Sequence, residues 1–158
     1  MKKTILGFLV IIALLAVSFP VLAGKGTYDK YITKADIEKV SGVTGIKLVP
    51  YEPSEGAGGD LNFADSQGNL VLMVLFKDAL NYDQSKALKG YVKATITGIG
   101  DTAFTGPAKD PQYMVYFKKG TRSVSLNTYF NLTGTGKNPT MLTMDQLITL
   151  AKLVASRL

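Results

Sequence analysis

The chain has 158 residues, 46% of them hydrophobic, enough for one domain with a core that needs no covalent staples. It has no cysteine and no histidine, which removes disulfides, thiol nucleophiles, thiolate or imidazole metal sites, and every catalytic dyad or triad with a histidine base. The formal charge is +6, and setting Lys2 and Lys3 aside as part of a targeting segment leaves 16 basic against 12 acidic residues. Arg122 and Arg157 are the only arginines, so nucleic-acid binding gains little support, whereas a mild positive charge suits an anionic envelope surface and ordinary solubility equally well.

Lys2-Lys3, the apolar run 5–17, Ser18-Phe19-Pro20 and the small-residue pattern Val21-Leu22-Ala23 have the three regions of a secretory signal. Cleavage is expected between Ala23 and Gly24, which places the mature chain in the periplasm or outside the cell with no stable membrane span. The competing reading is an uncleaved anchor over 5–23, and Pro20 beside an acceptable cleavage site favours removal. Residues 24–31 read as a flexible leader to a single α+β domain over 32–158.

The first helix opens at Thr33, an N-cap with Asp36 as its capping-box partner and Ile32 and Ile37 as a hydrophobic staple, and it closes at Gly42. A weak strand runs over 46–51, its Pro50 placing its end at a sheet edge or bulge, and a Gly-rich loop follows over 52–59. Because a strand rather than a helix comes next, this loop is not a phosphate cradle. Residues 61–64 pair back through Gln67-Gly68-Asn69 with the apolar run 70–76, which is too short to cross a bilayer and reads as a central strand buried on both faces. Asp60, Asn62, Asp65 and Asn69 supply oxygens of the kind calcium takes, but their spacing lacks the glycine and closing glutamate of the known loop, and turn chemistry accounts for them.

Asn81 and Gln84 announce a second helix that Gly90 stops, and 91–97 is strand-prone. Gly98-Ile99-Gly100-Asp101 then describes a tight structural corner, with Asp101 bonding nearby backbone amides rather than catalysing. Residues 112–118 and 122–130 form a hairpin whose tip carries Lys118, Lys119 and Arg122, a solvated and edge-protecting cluster. Asn131-Leu132-Thr133 matches a glycosylation sequon and is read as chance. The last helix, over 142–158, has Thr143 as cap, Gln146 completing the box and Leu142 with Leu147 as staple. Its stripe of Met144, Leu147, Leu150, Ala151, Val154 and Leu158 faces a core.

Three pieces together, Thr33-Lys34-Ala35-Asp36-Ile37 closing at Gly42, Gly98-Ile99-Gly100-Asp101-Thr102-Ala103, and Leu142-Thr143-Met144-Asp145-Gln146-Leu147 running into Leu150-Ala151-Lys152, resemble a group of small exported bacterial domains and lipoproteins of unknown function. That group shares a Gly-x-Gly-Asp-x-Ala corner and a Thr-capped terminal helix over the whole mature chain. Many of its members carry an N-terminal lipidated cysteine, which this chain lacks. The resemblance implies an antiparallel sheet with helices packed on it, similar to the PsbP and Mog1 sandwiches, and brings no catalytic residues with it.

The expected fold is therefore α+β, an antiparallel sheet in the order α-β-β-β-α-β-β-β-α. The expected function is non-enzymatic binding of a protein or small ligand in the bacterial cell envelope, with no metal and no cofactor. Phe104, Tyr113, Tyr116 and Tyr129 are the candidate ligand-binding residues, as aromatics that would line a concave surface. Two rivals stand beside this reading. One is a carboxylate-dependent hydrolase, for which Asp60, Asp65, Asp78, Asp83 and Asp101 are too scattered in the sequence to nominate a pair; the other is a structural subunit of an envelope assembly, which predicts an exposed apolar patch.

Overall fold

A computed structural model describes residues 28–49, 60–106, 112–129 and 141–158. In chain order the described elements are α1 (Lys34–Ser41), β1 (Lys47–Val49), β2 (Leu61–Ala64), β3 (Leu70–Asp78), α2 (Ala79–Ala87), β4 (Ala94–Ile96), β5 (Thr102–Gly106), β6 (Gln112–Lys119), β7 (Arg122–Tyr129) and α3 (Met144–Arg157). The α+β class and the antiparallel sheet are as the sequence implies, with one strand more, β5, in the second run. The loop 52–59, Pro50 and the sequon at Asn131 lie outside the described residues, as does the segment 1–27.

The seven strands form one antiparallel sheet in the order β1-β2-β3-β7-β6-β5-β4. It consists of two meanders, β1-β2-β3 and β4-β5-β6-β7, zipped together where Met73 to Asp78 of β3 face Asn127 to Arg122 of β7. The apolar run of β3 is covered on both sides, with Val71, Leu72, Met73 and Val74 all buried. Alternation along the strands then sorts the side chains between two cores. The larger lies on the face under α3, where Leu147, Leu150, Ala151 and Val154 are fully buried against Phe76, Phe117 and Leu126. The smaller lies on the opposite face, where α2 contributes Tyr82 to a cluster with Phe104, Met114 and Tyr116.

Local capping fixes α1 and α3 as the sequence predicts. Thr33 accepts from the Asp36 amide while the Asp36 carboxylate accepts from the Thr33 amide at 2.8 Å, and Gly42 closes α1 in the left-handed region at φ 76°. Thr143 and Gln146 form the same reciprocal box at α3. The second helix starts earlier than expected, since its cap is Asp78, not Asn81: the Asp78 carboxylate accepts from the Asn81 amide at 3.0 Å and from its side chain at 2.8 Å. β3 thus runs into α2 without a loop, its last residue being the helix cap, and Asn81 stands at the third helical position. Residues 28–31, expected in a leader, belong to the folded body, with Tyr28 stacked on Phe76 at 4.2 Å and Tyr31 5.6 Å from the same ring.

The corner at 98–101 is built from a close approach. Gly98 and Gly100 both have positive φ, 76° and 55°, and a Cβ on Gly100 would press into the Lys118 carbonyl oxygen. The Asp101 amide donates to that same oxygen at 2.8 Å. Its carboxylate accepts from the Gly120 amide at 2.7 Å, so Asp101 ties the corner to the β6–β7 turn, as an acceptor for backbone rather than a lone catalytic acid.

Candidate functional site

Of the four aromatics nominated from sequence, the three whose side chains are described do not converge. Phe104 is fully buried and Tyr116 nearly so, both in the smaller core, where their rings stand 5.6 Å apart with Tyr82 against each. Burial pushes the Tyr116 hydroxyl above the usual tyrosine range, and that hydroxyl pairs with Ser123 Oγ at 3.2 Å. Tyr113 is half-buried on the other face, against the larger core. It lies three residues before Tyr116 on one strand, and odd separations put side chains on opposite faces. The side chain of Tyr129 lies outside the described residues. Phe104 and Tyr116 are packing residues, and Phe104, Tyr113 and Tyr116 form no common lining.

The carboxylates on which a hydrolase would have to draw each hold backbone or a cation. Asp60 accepts from the Phe76 amide at 2.6 Å. Asp65 Oδ1 closes the β2–β3 turn by accepting from the amides of Gln67 and Asn69, both at 2.9 Å. Asp78 caps α2 and Asp101 anchors the corner, while Asp83 pairs with Lys118 at 2.8 Å. Among the described residues no group of three acidic side chains is placed to hold a metal ion.

A different site forms where β3 and β7 end together. Tyr28, Phe76, Lys77, Asp78, Thr121 and Arg122 line an open, shallow cleft of about 340 Å³. The stacked rings of Tyr28 and Phe76, 3° from parallel, form its apolar wall. Arg122 and Asp78 are direct cross-strand neighbours, and an ion pair between them would be the ordinary outcome. No such pair forms. The Asp78 carboxylate turns to the start of α2, where the Asn81 side chain and amide hold its pKa below the usual carboxylate range. Among the described residues Arg122 and Lys77 make no ion pair, so the cleft holds two cations and the Asp78 carboxylate beside an aromatic wall.

The other cations of the hairpin tip are already used, which separates Arg122 from the cluster in which the sequence places it. Lys118 holds Asp83, and Lys119 donates to the Ala155 carbonyl at 2.6 Å, tying the tip to the end of α3. The second arginine is equally committed: Arg157 grips Asp36 with two nitrogens, at 2.6 and 2.9 Å, and adds a bond to the Tyr31 carbonyl. A free guanidinium presents a fork that matches the two oxygens of a carboxylate or phosphate. Sequence reasoning missed this cleft because its parts come from 28, 76–78 and 121–122, and only the β3–β7 pairing joins them.

No protein-family model, no curated protein and no solved structure matches the chain.

Proposed function

We propose that this chain is an exported, non-enzymatic binding domain of the bacterial cell envelope, released from its signal after Ala23, and that it receives an anionic group of a protein or small ligand in the Arg122 cleft. The observation that carries this reading is that Arg122 makes no ion pair among the described residues although its cross-strand neighbour is Asp78, whose carboxylate caps α2. The uses of Asp60, Asp65, Asp78, Asp83 and Asp101 as structural acceptors or ion-pair partners support binding over carboxylate hydrolysis, which needs two carboxyl groups free to face a substrate. The kinship with small exported domains of unknown function, carried by the Gly98-to-Ala103 corner and the two Thr-capped helices, belongs to the same proposal.

Native mass spectrometry of the mature chain recovered gently from its own host tests it, run beside Arg122→Ala and Arg122→Lys. The expected result is an added mass on the parent that is lost from Arg122→Ala and weakened in Arg122→Lys, which keeps charge but loses the fork. An added mass retained by all three moves the site away from the cleft. A bare parent overturns stable binding.

A further inference from the structure

Asp78 and Arg122 bring opposite charges to one place in the cleft. They are direct neighbours across the β3–β7 pairing, so their Cβ atoms stand about 4.5–5.5 Å apart, and Phe76, two residues before Asp78, leaves β3 on the same face. The backbone holds this spacing on both sides. Ser123 Oγ donates to the Asp78 carbonyl at 2.6 Å, and the Ala79 amide donates to the Thr121 carbonyl at 2.9 Å. A ligand therefore meets a frame that is already ordered.

Both charged groups keep bonding capacity. An ionised carboxylate accepts about four hydrogen bonds over its two oxygens, and the Asn81 amide and side chain both bond to Oδ1 of Asp78, which leaves capacity on Oδ2. Arg122 makes no ion pair among the described residues and carries the fork that suits a carboxylate. A ligand that is only an anion meets a conflict here, because what Arg122 attracts the Asp78 carboxylate beside it repels. A ligand with an ammonium next to its carboxylate meets none.

We propose that the cleft binds the zwitterionic head of a free α-amino acid, its carboxylate on the Arg122 fork and its ammonium on Asp78 Oδ2, with an apolar or aromatic side chain laid against the Tyr28–Phe76 stack. The proposal rests on the anion reading of the cleft and adds to it a second charge and its position. Because Asp78 and Arg122 are adjacent, the two charges of the ligand must be adjacent as well, as they are when both groups sit on one carbon. The half-buried Tyr28 ring, stacked flat on Phe76 at 4.2 Å, offers the planar apolar surface on which an aromatic side chain packs.

NMR titration of the isotope-labelled protein recovered from its host reads affinity and site together. The probes are L-phenylalanine, N-acetyl-L-phenylalanine, which lacks the ammonium, and L-phenylalaninamide, which lacks the carboxylate. L-phenylalanine is expected to move the signals of Asp78 and Arg122 and to bind about tenfold tighter than either derivative, each of which loses a charge-assisted hydrogen bond. Asp78→Asn keeps a good cap for α2 and is expected to bind N-acetyl-L-phenylalanine at least as well as L-phenylalanine, a change of preference that simple misfolding would not produce. Arg122→Gln is expected to erase the preference for L-phenylalanine over its amide. N-acetyl-L-phenylalanine bound by the parent as tightly as L-phenylalanine, and weakened by Arg122→Gln, overturns the zwitterion and leaves the anion reading standing. A preference unchanged in Asp78→Asn overturns the placement of the ammonium. Binding of none of the three probes overturns the amino-acid proposal, while the mass added to the parent and lost from Arg122→Ala judges the anion reading separately.

Discussion

The two glycines of the corner differ in a way that one pair of substitutions can measure. Gly98 and Gly100 both sit at positive φ, where any L side chain carries a penalty of about 1–2 kcal/mol. Beyond that they part company. A Cβ on Gly98 meets nothing within 4 Å, whereas one on Gly100 presses into the Lys118 carbonyl oxygen and comes to 3.1 Å from Phe117 Cδ2. The carbonyl cannot simply retreat, because it accepts from the Asp101 amide and belongs to β6, with Asp101 also holding Gly120. Forcing atoms into a packed site adds about 1–3 kcal/mol. Gly98→Ala is therefore expected to lose about 1–2 kcal/mol and Gly100→Ala about 2–5 kcal/mol. Urea unfolding followed by far-ultraviolet circular dichroism reads the difference as a midpoint lower by about 1 M for Gly100→Ala than for Gly98→Ala. Equal losses in the two variants would refute the close approach as the reason for the second glycine.

Two further outcomes follow from the contacts around α3. The Arg157 guanidinium holds the Asp36 carboxyl down to about 2, from an ordinary value of 3.8. A depressed folded-state value stabilises fully above the unfolded value and is lost as the pH falls through the folded one. The pair should thus contribute about 1–2 kcal/mol at pH 5, discounted for its part exposure, and fade between about pH 4 and 2. Urea unfolding of the parent and Arg157→Met should diverge at pH 5 and converge toward pH 2; a constant gap would show that Asp36 is not the partner that matters. Leu150→Asp, at a fully buried position of α3, is expected to cost several kcal/mol through an unpaired buried charge, and an unchanged melting temperature would contradict the placement of the helix.

What could be read from the sequence was what neighbouring residues settle among themselves. Thr33 with Asp36 and Thr143 with Gln146 are complete instructions within four residues, and both helices begin where those boxes put them. α2 was misplaced by three residues because Asp78 does two jobs, last residue of a strand and cap of a helix, leaving no loop to mark the change. β5 was hidden for another reason: Thr102–Gly106 follows a corner and has no pattern of its own, becoming a strand through its pairing with β6. Among the aromatic candidates, Tyr113 and Tyr116 are parted by parity that the sequence does contain, since the two cannot share a face of one strand. The cleft was beyond reach because Tyr28 and Arg122 are brought together only by the zipper between the two meanders.

That zipper also imposes an order in time. Residues of β3 wait for partners 44 to 54 positions later in the chain, from Asp78 with Arg122 to Met73 with Asn127. At ordinary rates of synthesis this gap lasts about 2–10 s, during which the most apolar strand of the protein has its first-meander neighbour β2 on one edge and nothing on the other. The first half of the molecule is thus born with an open, sticky edge. A chain built this way gains from being kept extended until its last third has emerged, and passage through a translocation channel before folding would supply that delay.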